Sequence, residues 1–383
     1  MSRAIKAVWT GVVVLVGLTV VGCGSIEDRT QAANVIVVAT ATANEPAAIL
    51  PADFDAVLRA ANKSRRGMLT VLVPRDGRAE QIGDPIDVKV TRDGSEMENN
   101  EGLIDVGIAR IGDDVRTRTS AAASNERQLD LLTGLAEASR RADKSTIVLI
   151  SSGLQTTGLI DFAGLGWDFD DNAVIGQLRD DGFVPDLSGK KVKFVGLGET
   201  AGAQQALPQP MRAKVEGLWL DLCRAGGAVE CTKAAMTQLD PPVSTTPALT
   251  VDVPRFELPA LPSAGVVQVS VPTQALFAPD SAELLPSAEG QLSALASALV
   301  ARGASIDLVG HTWRVGEADG ARALSLQRAS AVADTLVRNG FPRGSIGELR
   351  GAGYDEPIVV PGADELRTAQ ANRVVIITIR TSH

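Results

Sequence analysis

Two groups of residues near the C-terminus have the types and spacing that recognise a small charged ligand. The first is Gly310-His311-Thr312-Trp313-Arg314-Val315-Gly316, a stretch bracketed by glycines. The second is Leu324-Ser325-Leu326-Gln327-Arg328-Ala329. Ser305 to Val309 alternates like a strand. Leu324, Ala329, Val332, Ala333, Leu336 and Val337 recur at helical spacing, and Gly340 follows at a C-cap position. The pattern is therefore strand, loop, helix. Such a loop presents backbone N–H groups at a helix N-terminus, which favours an anionic group. Arg328, one turn beyond Leu324, can fold back toward the loop and grip a carboxylate with its planar fork.

These residues resemble the OmpA-like peptidoglycan-binding domain. That family reads Gly-His-Thr-Asp-x-x-Gly, then Asn-x-x-Leu-Ser-x-x-Arg-Ala, and closes on a strand beginning Asn-Arg. The matching residues are Gly310-His311-Thr312, Gly316, Leu324-Ser325, Arg328-Ala329, Gly351, Gly353 and Asn372-Arg373-Val374. Phe277 to Ala282 with Leu285-Pro286 resembles the first strand and turn, so the likeness runs from about Val266 to Ile379. It implies a mixed sheet with helices on one face. It also implies a site for the diaminopimelate stem peptide of peptidoglycan, built from Thr312, Trp313, Asp319, Arg328, Asn372 and Arg373.

In relatives the loop aspartate holds the ligand's ammonium and the arginine its carboxylate. Here Trp313 stands in place of that aspartate, and Ala321 in place of the asparagine before Leu-Ser. Losing a charge-assisted hydrogen bond of roughly 1.5–3 kcal/mol would weaken binding about ten- to a hundredfold. Trp313 offers an ammonium a cation–π face worth about 0.5–2 kcal/mol, and Asp319 or Glu317 in the same loop can substitute for the lost anion. The alternative is a domain that kept the fold and gave up the cell wall.

At the other end, Arg3 and Lys6 precede an apolar run from Ala7 to Val21, too short for a full membrane span. It ends Val20-Val21-Gly22-Cys23, which resembles a lipobox. The resemblance implies cleavage before Cys23 and lipidation of it, giving a stable membrane anchor. A plain secretory signal or an uncleaved anchor are the alternatives, and all of them export the chain. Cys223 and Cys231 then remain, eight apart across a Gly-rich turn, and should pair in an oxidising envelope. Two histidines in the chain are too few for a zinc site at these cysteines.

Between these ends, apolar strands alternate with helices. Strands are expected at Val35–Ala39, Leu69–Val73, Thr146–Ile150 and Val192–Val195, with further ones at Ile86–Val90 and Leu103–Val106. Helices are expected from Phe54, over Glu126–Arg141, around Ala173–Leu178 and over Met211–Leu222. The alternation predicts an α/β fold, a doubly wound, mainly parallel sheet covered on both faces. The order is similar to a von Willebrand type A domain. That family's metal loop falls at Thr40-Ala41-Thr42-Ala43-Asn44, which has no aspartate, and Ser151-Ser152-Gly153-Leu154-Gln155-Thr156 has hydroxyls but no carboxylate. A hard cation wants charged oxygens, so no metal and no other cofactor is expected. Ligands of such sheets sit at the C-terminal strand ends, which singles out Thr40, Thr42, Ser151 and Ser152, although hydroxyls there also serve turns. Gly196 to Gly202 reads as a tight turn without the P-loop lysine. Asp168, Asp170 and Asp171 beside Trp167 read as a surface loop with an acidic first turn for the next helix.

Prolines 241, 242, 247, 254, 259 and 262 mark a linker that would span roughly 70 Å if fully extended, although Val251–Leu258 alternates enough to add an edge strand. The division is then a signal peptide (1–22), a lipidated tether (23–33), an α/β domain (34–236), a Pro-rich linker (237–263) and a smaller OmpA-like domain with a mixed sheet (264–383). A net charge of −9 argues against nucleic acid as a partner. No nucleophile–base pairing marks an enzyme. The expectation is an exported, lipid-anchored protein of the bacterial cell envelope, and the outer membrane is one place for it. It ties a membrane to peptidoglycan. The alternative is an envelope scaffold whose α/β domain docks a protein partner.

Overall fold

A computed structural model describes residues 33–64, 67–167, 169–254, 260–278, 281–313, 317–359, 361–362, 368 and 371–381. The expected signal peptide and Cys23, Asp168, and the motif residues Arg314, Val315 and Gly316 lie outside the described residues. The described chain forms two sheets.

The first sheet is mostly parallel. Its central strand β1 (Asn34–Ala39) lies between β2 (Met68–Arg75) and β5 (Ser145–Ile150), followed outward by β6 (Lys191–Val195) and β7 (Glu230–Ala234). Two short antiparallel strands, β3 (Arg78–Gln81) and β4 (Ile86–Asp87), pair with β2. Both faces are covered, so the inner strands read as continuous apolar runs. On one face Val35, Val37, Val71 and Val148 meet α1 (Phe54–Asn62) and α2 (Glu101–Ser120). On the other, Ile36, Val38, Ile147, Leu149 and Phe194 meet α3 (Leu131–Arg141), α5 (Asp171–Asp180) and α6 (Gln209–Ala225). The short α4 (Phe162–Leu165) precedes α5. Each fully buried aliphatic side chain contributes about 1.5–3 kcal/mol.

The strand expected at Ile86–Val90 is cut to Ile86–Asp87, and three further elements differ from the sequence expectation. Leu103–Val106 is not a strand but the start of α2, where Asn100 accepts a hydrogen bond from the Leu103 amide as N-cap. Leu103 and Val106 face solvent, and the buried positions Ile104, Ile108, Ile111 and Val115 follow the helical period. The helix expected from Glu126 starts at Leu131, because Asp130 caps it and the Leu129 amide is drawn to Thr156 Oγ1, 2.9 Å away. Strand β7 carries too few apolar residues to announce itself. It is held by its ladder with β6 and by the Cys223–Cys231 disulfide, which ties the end of α6 to this edge strand.

The Pro-rich segment also departs from a free spacer, since residues 240–254 lie across the first sheet's C-terminal strand ends. Asp240 O accepts from the Ala47 amide and Ser244 Oγ donates to Ser124 O. The Leu249 amide donates to Arg127 O, and Asn44 Nδ2 donates to Leu249 O. The Gln204 side chain closes a two-bond ring with the Val251 backbone, at 2.7 and 2.9 Å. Trp167 Nε1 donates to Asp252 O at 2.8 Å. Val251 and Val253 are buried in the core of the first domain.

The second sheet runs β10 (Ile346–Gly353), β9 (Ser305–His311), β11 (Val374–Thr381), β8 (Gly265–Pro272). It is mixed: β9 and β10 are parallel, and β11 is antiparallel to β9 and β8. The four-residue α7 (Thr273–Leu276) follows β8, while α8 (Pro286–Ala301) and α9 (Ala318–Arg338) cover one face. Leu292, Leu295, Val332 and Leu336 pack there on Ile306, Leu308, Val375 and Ile377. The other face is partly open, with Gln268 and Ser270 exposed.

Two predictions follow from the first domain's edges. Truncating Val251 and Val253 together to Ala should cost about 2–4 kcal/mol, read as a lower urea midpoint. Cys231→Ser should cost about 2–3 kcal/mol, the entropy of an eight-residue loop, and reduction of the wild type should cost the same.

Candidate functional site

The motif glycines permit a close approach. A Cβ on Gly310 would sit 2.0 Å from Ser325 O, and one on Gly351 would sit 2.4 Å from both Arg322 O and Leu326 N. Helix α9 therefore rests its backbone directly on β9 and β10. Ser325, fully buried, completes the seam: its hydroxyl donates to Arg322 O and accepts from the Gly353 amide. The Thr312 amide donates to Gly353 O at 2.8 Å, fixing the end of β9.

The predicted site residues meet different fates. Arg328 is buried, with 2% of its surface exposed. Its Nε donates to Ser281 O at 2.9 Å, and the guanidinium lies 5.7 Å from the Phe277 ring centre. Thr312 is buried and its neighbour in sequence, Trp313, half-buried; among the described residues Thr312 Oγ1 has no hydrogen-bond partner. Asp319 turns outward: its side chain is almost fully exposed and pairs with Arg322, which also holds Asp355. Asn372 works as a clamp. Its amide accepts from the Ile358 amide at 2.7 Å and donates to Ile358 O and Thr368 O. Arg373 reaches the other domain, donating from Nη1 to Leu165 O at 3.1 Å. The β9–β11 ladder ends at the Gly310–Val375 pair, so Thr312 and Arg373 both lie just past it.

His311 is buried at the end of β9. Burial pushes its imidazole below the ordinary 6.5, and the positive Arg350 adds to this against Glu356. Arg350 is itself held by both Glu356 oxygens, at 3.0 and 2.8 Å.

The first domain has a second polar cluster, and its centre was missed in the sequence. Thr40, Thr42, Ser151 and Ser152 do meet at the ends of β1 and β5, around the buried carboxylate of Glu45. Thr40 Oγ1 donates to Oε1 at 2.7 Å, and the Thr42 amide and hydroxyl donate to Oε2, both at 2.9 Å. The Ser152 amide, Ser152 Oγ and Ser151 Oγ donate to Oε1 at 2.7, 3.1 and 3.0 Å. Neutral dipoles thus solvate a charge that burial would otherwise penalise. The available signal was an acid just past a strand end and followed by Pro46. Among the described residues no group of three or more His, Cys, Asp or Glu is placed to hold a metal. Asp170 caps α5, accepting from the Asn172 amide, and Asp171 pairs with Lys214.

Replacing Glu45 by Gln turns an acceptor toward donors into another donor. It should cost about 1–3 kcal/mol, with Glu45→Ala costing more, in urea denaturation. For His311 the folded state binds the proton less well than the unfolded one. Its contribution is fully present above 6.5 and is lost as pH falls from there through the lower folded value. The C-terminal domain should therefore weaken on acidification, and His311→Gln should flatten that slope in a pH series of urea midpoints.

Residues 276–373 match the OmpA family model. Among solved structures the chain is similar to a MotB-like protein from Desulfovibrio vulgaris, at 25% identity over 31% of this chain and 75% of that one, with a TM-score of 0.26. It is similar to the peptidoglycan-associated lipoprotein from Burkholderia pseudomallei, at 27% identity over 28% and 87%, with a TM-score of 0.24. A third is the cell wall anchor of the T6SS from Pseudomonas aeruginosa, at 24% identity over 30% and 82%, with a TM-score of 0.27. No curated protein matches. Among the described residues no helix is long and apolar enough to cross a membrane. Residues 276–373 form an OmpA family domain within this longer chain.

Proposed function

We propose that this chain is a cell-envelope protein that binds peptidoglycan non-covalently through its C-terminal domain and is held to a membrane by lipid on Cys23. It acts by holding rather than by turnover. The observation that carries the reading is Arg328, kept in α9 within the OmpA family domain. Its guanidinium is the cation that the resemblance assigns to the stem peptide's terminal carboxylate, in a charge-assisted contact. Trp313, two residues past β9, is the aromatic partner for the ligand's ammonium in this reading, a weaker one than the carboxylate of the family pattern.

A second reading, an envelope scaffold that has left the cell wall, is favoured by two specific features. Arg328 is almost fully buried, and Asp319, one of the two substitute anions, is already committed to Arg322. The α/β domain would then dock the partner.

Co-sedimentation of the chain with purified diaminopimelate-type peptidoglycan separates the two. Under the anchoring reading the wild type pellets with the polymer. Trp313→Asp restores the missing anion and tightens binding about tenfold or more, while Arg328→Ala loses binding. A wild type that stays in the supernatant, with Trp313→Asp in the pellet, would sink the anchoring reading in favour of the scaffold.

A further inference from the structure

The N-terminal ends of β1, β2, β5, β6 and β7 lie at one end of the first sheet, because these strands are parallel. The chain enters the domain there, through Ala33 and Asn34. The same end gathers the domain's exposed apolar side chains. Among the described residues of 34–236, the large hydrophobic side chains left exposed are Met68, Leu103, Val106, Leu159, Phe183 and Val229. Leu159, which follows β5, is the one at the opposite end. Met68 opens β2. Phe183 follows α5 and Val229 immediately precedes β7, and they are 58% and 67% exposed. Their loops run side by side: the Leu187 amide donates to Gly226 O and the Val229 amide to Lys190 O, both at 2.8 Å. The direction of α2 brings in the other two. Helix α1 descends from the end of β1 to the start of β2. Glu101 and Asp105 of α2 pair with Arg59, late in α1, whereas Arg116 pairs with Asp55, early in it. So α2 runs antiparallel to α1, and Leu103 and Val106 in its first two turns sit at the entry end.

Charge does not account for this cluster. Lys144 follows Asp143, and Lys191 pairs with Glu230 at 3.4 Å, so the surface carries both signs. Position is the stronger clue. Ala33 stands ten residues beyond Cys23 (33 − 23 = 10), a reach of about 35 Å at full extension. Lipid on Cys23 would hold the entry end within that distance of a bilayer, and even a weak apolar contact then becomes effectively intramolecular.

We propose that the entry end of the α/β domain rests on the lipid surface that holds Cys23, with Phe183 and Val229 seated among the headgroups. This rests on the lipid-anchor reading above. The contact is apolar and needs no anionic lipid. Because the strands are parallel, their C-terminal ends, with residues 240–254 docked across them, then face away from the bilayer.

The test uses the full chain, lipidated at Cys23, in phosphatidylcholine vesicles with or without lipids brominated near the headgroup. Emission of the wild-type tryptophans is the background, and flotation with the vesicles reports the anchor. Phe183→Trp and, independently, Val229→Trp should each lose about half of the added emission or more to the bromines, as expected for a side chain at the headgroup boundary. Leu159→Trp, at the opposite end, should keep its emission. Val229→Asp introduced into the Phe183→Trp chain should relieve the quenching. A wild type that does not float overturns the lipid-anchor reading and this inference with it. A chain that floats, with positions 183 and 229 quenched no more than position 159, overturns this inference and leaves the anchor standing.

Discussion

The C-terminal domain depends on one steric constraint, the absence of side chains where α9 lies on β9 and β10. At Gly310 the opposing atom is a backbone carbonyl only 2.0 Å from where a Cβ would stand, and at Gly351 backbone atoms stand equally in the way. Backbone cannot give as a flexible side chain can. The helix is consequently fixed in depth and rotation, and so is everything it carries. Ser325 faces into the seam, and Arg328, three residues on, comes down over Phe277 rather than out to water. Two glycines thus aim an arginine that neither of them touches.

The acidic groups near this seam are drawn to arginines of their own: Asp319 and Asp355 to Arg322, Glu356 to Arg350. The surface around the site is rich in charge already paired with charge. Exposed pairs of this kind stabilise little, but each takes a carboxylate out of play. The same theme recurs in the first domain, where the strand-end hydroxyls are occupied by Glu45.

Much of this was legible in the sequence where one pattern dominated. Strands β1 and β5 are buried on both faces and read as unbroken apolar runs, and the motif glycines and Arg328 announced the second domain. What stayed hidden was set by partners far along the chain. Nothing local in Asn372-Arg373 shows that the asparagine is spent on Ile358 or that the arginine meets Leu165, 208 residues away. Glu45 sits in a loop with no periodicity, and its role exists only once β1 and β5 lie side by side. The misread at Leu103–Val106 has a different cause: two exposed apolar residues broke the helical stripe that Ile104 and Ile108 continue.

The docked course of residues 240–254 also decides where this chain can be divided. Composition puts the seam at Asp240, where prolines begin. A fusion or a recombination made there would carry off a first domain with two apolar vacancies, since Val251 and Val253 belong to its interior, and would strip the cover from Gln204 and Asn44. A cut made beyond Pro254 keeps that interior whole. The prolines of residues 240–254 shape a wall of the domain they follow. The stretch whose composition most resembles a rope is, over residues 240–254, part of a folded domain.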